Sequence, residues 1–121
     1  MSKKILIVDD SIIVRQQVGL SLLQASYEVI EAVDGVDGLA KVKANPDLAL
    51  IICDVNMPEM GGLGLLAALK AEGALPCPVI MLTSEGQPEL VAEAKKLGAK
   101  AWVMKPIASE LLVAAVGKIA K

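Results

Sequence analysis

The chain has 121 residues, about the size of one ordinary domain, and that length can bury a core without disulfides or metals to staple it. Hydrophobic residues make up 55% while aromatics are 2% and Phe is absent, so Leu, Ile, Val, Ala and Met must build the core. A net charge of -2 without a basic run argues against nucleic-acid binding, the lack of His leaves no zinc ligand set, and no stretch approaches the ~18 apolar residues of a membrane span.

Met1 to Lys4 carries positive charge, but the apolar run Ile5 to Val8 ends in Asp9 and Asp10 and is too short for a secretory leader, so a cytoplasmic protein is expected. Ile5 to Asp9 reads as the first strand. Val14, Val18 and Leu22 then recur at helical spacing. Tyr27 to Glu31 reads as a second strand, and its Glu28 and Glu31 suit a sheet edge. A helix over Val36 to Ala44 precedes the continuous apolar run Leu48 to Cys53, as expected of a strand covered on both faces. A helix over Leu63 to Ala71 follows, then a strand over Val79 to Leu82 and a helix marked by Leu90, Ala94 and Leu97. The strand Ala101 to Met104 comes next, and Leu111, Ala115 and Ile119 mark a closing helix behind the cap candidate Ser109. Cys53 and Cys77 lie in apolar stretches and read as buried free thiols.

Five strands alternating with five helices indicate an α/β fold with a parallel sheet and helices on both faces, one domain over residues 1–121. In such a sheet the active site lies beyond the carboxyl ends of the strands, near the point where strand order reverses. The polar residues ending the strands are Asp9 and Asp10, Asp54, Thr83 with Ser84, and Lys105 with Pro106. Each alone has an ordinary reading: Asp10 could cap the first helix, Thr83 could tune a turn, and Lys-Pro is a common loop dipeptide. Capping uses one carboxylate per helix, so Asp9 and Asp54 are left over. Two carboxylates ~5 Å apart repel by roughly 3 kcal/mol at an effective dielectric of ~20, which calls for a cation. Lys105 supplies one charge, and Mg²⁺ suits a pocket of one or two direct carboxylates, waters and a phosphoryl oxygen. A carboxylate beside such an ion can act as nucleophile to form an aspartyl-phosphate.

Asp9-Asp10, Asp54 within Asp-Val-Asn-Met-Pro-Glu-Met-Gly-Gly, Thr83-Ser84 and Lys105-Pro106 together resemble the receiver domain of response regulators, most closely the CheY-like chemotaxis class, from Lys3 to Ile119. The resemblance implies a flavodoxin-like (βα)5 fold with strand order 2-1-3-4-5. It implies Asp54 as acceptor of a phosphoryl group from a sensor histidine kinase. It further implies Asp10, Asp54 and the Asn56 backbone carbonyl as Mg²⁺ ligands, Asp9 as holder of a metal-bound water, and Lys105 and Thr83 as partners of the phosphoryl oxygens. Asn56 and Glu85 would tune dephosphorylation, and the Lys105-Pro106 bond would be cis. Thr83 and Trp102 would form the switch, with Trp102 standing where relatives carry Tyr or Phe. Gly61 replaces a polar cap before the third helix, and Ile107 replaces a common aromatic.

With no output domain in the sequence, a monomer signalling by binding a target protein is expected. The resemblance puts that surface on the fourth helix, fifth strand and fifth helix, where Lys95, Lys96, Lys100, Lys118 and Trp102 would contact an acidic or amide-rich segment. Two rival readings exist. Gly62-x-Gly64-x-x-Ala67, with Glu85 beyond it, matches a relaxed dinucleotide fingerprint, although the turn from Cys53 to Gly62 is long for that motif. A receiver-like interaction module that never becomes phosphorylated is the other, which the survival of every acidic and Lys position argues against.

Overall fold

Strand and helix alternate strictly in the computed structural model, which describes residues 3–54, 62–73, 77–83, 88–104 and 108–119. The elements are β1 (Lys4–Val8), α1 (Ile12–Gln24), β2 (Glu28–Ala32), α2 (Gly35–Ala44), β3 (Leu48–Asp54), α3 (Gly62–Ala71), β4 (Val79–Thr83), α4 (Pro88–Lys96), β5 (Ala101–Met104) and α5 (Ser109–Ile119). All five strands lie in one sheet of order β2-β1-β3-β4-β5, and every neighbouring pair is parallel. This is the expected flavodoxin-like order.

The topology follows from handedness. Parallel crossovers are right-handed, so a chain that first steps one way from β1 to β2 and then reverses toward β3 must lay its helices on opposite faces. The two hydrophobic clusters record this. Leu6, Val8, Ile51, Cys53, Val79 and Met81 pack with Val42 of α2, Leu65, Leu66 and Leu69 of α3 and Ala94 of α4. Ile5, Ile7, Leu50, Ile52, Ile80 and Leu82 pack with Val18 and Leu22 of α1 and Leu112 and Val116 of α5. Successive residues of one strand therefore enter different cores, which is why the central strands read as unbroken apolar runs.

Local signals set most boundaries. Asp34 caps α2 by accepting the Asp37 N–H at 2.8 Å, while Asp37 Oδ2 accepts the Val33 N–H at 3.0 Å. Helices α1 and α4 end alike: Ser26 and Tyr27 N–H donate to Leu23 and Leu22 carbonyls, as Gly98 and Ala99 donate to Lys95 and Ala94. The left-handed residue is Gly98 (φ 104°) in one and Ser26 (φ 71°) in the other.

Three sequence expectations shift. Ser11, not Asp10, caps α1, its hydroxyl accepting the Val14 N–H at 3.3 Å. In α5 the Leu112 N–H donates to the Ala108 carbonyl, so Ser109 stands inside the helix, its hydroxyl 2.8 Å from that of Ser21. Ala115 and Ile119 pack against the core as predicted, but the fully buried residues of α5 are Leu112 and Val116, and Leu111 is 69% exposed because the centre of the buried stripe lies one residue further along.

Candidate functional site

Strand order reverses between β1 and β3, and the carboxylates cluster at that point. Asp9 follows the last residue of β1, Asp54 is the last residue of β3, and Asp10 sits between β1 and α1. One carboxylate oxygen from each of Asp9, Asp10 and Asp54 lies within 4.8 Å of the others. Asp9 is fully buried and Asp54 is 5% exposed, while Asp10 opens to solvent.

The backbone holds Asp9 in place. Its N–H donates to the Ala32 carbonyl at 3.1 Å, extending the pairing of β1 with β2 by one residue. Its carboxylate accepts the Ser11 N–H at 2.9 Å, and its carbonyl accepts from the Arg15 guanidinium. Asp54 is fixed by its register opposite Leu82 of β4. The buried Cys53 thiol next to it is pushed well above its ordinary value, first by burial and then by the carboxylates of Asp54 and Asp9. It therefore stays a neutral packing group beside the acidic pocket.

Three carboxylates this close suit a hard divalent cation. At 4.8 Å and an effective dielectric of ~20, each ionised pair repels by about 3.5 kcal/mol. An all-oxygen donor set with a solvent-facing side is the chemistry Mg²⁺ takes, since it keeps several of its waters. The donors present fit that ion.

Thr83 ends β4, opposite Met104 in register. Trp102 is the neighbour of Met81 on the α4 side of edge strand β5 and is 43% exposed, as Met104 is exposed beyond it, whereas Ala101 and Val103 face the α1 and α5 core. Lys95, Lys96, Lys100 and Lys118 are exposed. Asn56, Gly61, Ser84, Glu85, Lys105, Pro106 and Ile107 lie outside the described residues, and Gly62 of the glycine-rich segment begins α3.

Arg15 escaped the sequence reading. It is the only charged side chain in α1, and it lies four residues after the cap, facing β2. A lone Arg in an otherwise uncharged helix was the signal available. Among the described residues no helix is long and apolar enough to cross a membrane.

The chain matches the response regulator receiver domain family over residues 5–117. A chemotaxis protein CheY of Treponema pallidum is 37% identical over 120 residues, covering 98% of this chain and 83% of the relative. Chemotaxis protein CheY1 of Helicobacter pylori is 39% identical over 111 residues, 90% of each chain. The solved structure of chemotaxis protein CheY4 of Vibrio cholerae matches with a TM-score of 0.90 at 39% identity, covering 98% of this chain and 99% of that one.

Proposed function

The chain belongs to the response regulator receiver family, and from that membership we propose that it is a response regulator phosphorylated on Asp54 in a Mg²⁺-dependent reaction. The convergence of Asp9, Asp10 and Asp54 at the strand-order reversal carries the reading. Asp10, Asp54 and the Asn56 carbonyl would hold the ion directly, and Asp9 would hold it through water. Bound there, Mg²⁺ neutralises the crowded carboxylates and the charge on the incoming phosphoryl oxygens.

The donor is a phosphohistidine of a sensor kinase. A carboxylate oxygen of Asp54 attacks phosphorus, the P–N bond breaks, and the imidazole nitrogen leaves with the electron pair. Such in-line transfer needs positioning and charge neutralisation more than covalent help. Lys105 and the Thr83 hydroxyl bind the phosphoryl oxygens, and Thr83 with Trp102 conveys the change to the α4, β5 and α5 surface. Asn56 and Glu85 flank the water that later hydrolyses the acyl phosphate. The protein promotes only its own phosphorylation and dephosphorylation.

Exposed Lys95, Lys96, Lys100 and Lys118 support docking of an acidic or amide-rich segment of a target protein. Likeness to three chemotaxis proteins supports an output in chemotaxis or motility, with a chemotaxis-type kinase upstream and a monomeric, cytoplasmic regulator between.

Incubation with acetyl phosphate followed by intact mass measurement tests the proposal. Wild type gains one phosphoryl group with Mg²⁺ and none with a chelator, and Asp54→Asn gains none. A wild type that stays unmodified while folded would mark the chain as a phosphorylation-independent interaction module.

A further inference from the structure

The Arg15 side chain is 11% exposed, most of it packed away from solvent, and its guanidinium is held by fixed partners. It has two. One nitrogen donates to the backbone carbonyl of Asp9, and Nε donates to Glu31 Oε1 of β2 at 3.1 Å. Glu31 is itself anchored, since it pairs with Ile7 in the sheet and its carbonyl accepts from Lys41 Nζ at 3.0 Å. Arg15 is tied to α1 by its own N–H on the Ser11 carbonyl at 3.0 Å. The guanidinium therefore bridges α1, the β1–α1 turn and the edge strand.

The carbonyl it holds belongs to the peptide that joins Asp9 to Asp10. Rotation of that peptide plane swings the start of Asp10, whose carboxylate sits on the open side of the acidic cluster. The Asp9 N–H on Ala32 fixes the residue before the peptide, while the Ser11 N–H on Asp9 Oδ1 closes a turn across it, so the Ser11 amide reports on the order of that peptide. We propose that Arg15 is a positioning residue for the cation site, clamping the Asp9–Asp10 peptide against Glu31 so that the Asp10 carboxylate stays within ligand range of Asp9 and Asp54. The inference rests on the Mg²⁺ reading above.

Charge alone predicts the opposite sign. A cation near the pocket competes with Mg²⁺, so deleting it would tighten ion binding by Coulomb's law. A positioning role predicts weaker binding, because losing a group that orients a metal ligand typically costs about 10- to 100-fold in affinity. Lys retains the charge but offers a single point donor in place of the planar fork, so it cannot hold both oxygens in the same geometry.

The full-length chain, isotope-labelled for NMR, is titrated with Mg²⁺ alone as wild type, Arg15→Gln and Arg15→Lys. Amide exchange of Ser11 is measured in chelator. The expected result is a dissociation constant about tenfold or more weaker in Arg15→Gln, only partly restored in Arg15→Lys, with faster Ser11 exchange in both. Mg²⁺ binding equal to or tighter than wild type in Arg15→Gln, with Ser11 exchange unchanged, would overturn it. If Arg15→Gln does not fold, Arg15→Lys decides by the same two readouts. If wild type itself fails to bind Mg²⁺, the functional reading fails, and Ser11 exchange alone then judges Arg15: acceleration supports the clamp and its absence overturns it.

Discussion

Asp54→Asn stabilises the metal-free protein. Asp54 faces two other carboxylates with oxygens inside 4.8 Å, and at an effective dielectric of ~20 each ionised pair is unfavourable by about 3.5 kcal/mol. Solvent at the exposed Asp10 screens one of those pairs, and the amide forfeits part of what the buried carboxylate gains from its other neighbours. The net gain is roughly 1–2 kcal/mol, or about 4 °C in melting temperature per kcal/mol for a domain of this size. Mg²⁺ is expected to narrow that gap. At ten times its dissociation constant a ligand adds about 1.4 kcal/mol to the protein that binds it, and a variant lacking one of the proposed ligands should gain less. Urea unfolding of both proteins in EDTA and in Mg²⁺ reads all four values. A variant less stable than wild type in EDTA, or one stabilised equally by Mg²⁺, would refute the claim that the three carboxylates are mutually repelling and share one ion.

Ser26→Gly removes the strain of a left-handed serine at the end of α1 and is expected to raise stability by about 0.5–1 kcal/mol in urea unfolding, as Gly98 already serves α4. Burial pushes the Cys77 thiol from 9.0 up to about 11, so at pH 8 its thiolate is about a hundredfold scarcer than that of an ordinary thiol. A chromogenic disulfide reagent should label it that much more slowly in the folded protein than in urea. Because the native thiol titrates above the unfolded one, its contribution to stability is complete below pH ~9 and fades as pH rises through about 11. Trp102 is half in solvent on an edge strand, and its emission should shift when Mg²⁺ and a phosphoryl mimic are added together. An unmoved spectrum, with binding shown independently, removes it from the switch.

The strands were legible because burial on both faces leaves no room for polar residues in the interiors of β1, β3 and β4, and because Glu28 and Glu31 betray β2 as an edge. The acidic site was legible because its members end strands, where topology brings them together whatever the loops do. Helix registers were less so. In α5 the predicted Ala115 and Ile119 do pack on the core, but Leu112 and Val116 are the fully buried pair, and the same four-residue spacing did not separate them from the exposed Leu111. Helix α1 did show its inner face, since Val14, Val18 and Leu22 pack into the core as their spacing predicts, although Ile12, Ile13, Leu20 and Leu23 are equally apolar yet more than half exposed. Asp10 and Ser11 are both good caps, and a one-residue difference in where the helix begins decided for Ser11. Arg15 stands out as the one charge of α1, but its role was not legible because its acceptors, a backbone carbonyl and a residue 16 positions away, are set by tertiary structure.

On the proposed reading, the carboxylates at the ends of β1 and β3 form a single cation site beside a reactive Asp54. Diffraction from crystals soaked in Mn²⁺, an anomalous scatterer that takes the same oxygen ligands, tests it most directly. One strong anomalous peak touching the carboxylates of Asp10 and Asp54 is expected, with Asp9 reaching it through water. Density that leaves those two side chains turned apart, with Mn²⁺ bound elsewhere or nowhere, would contradict it.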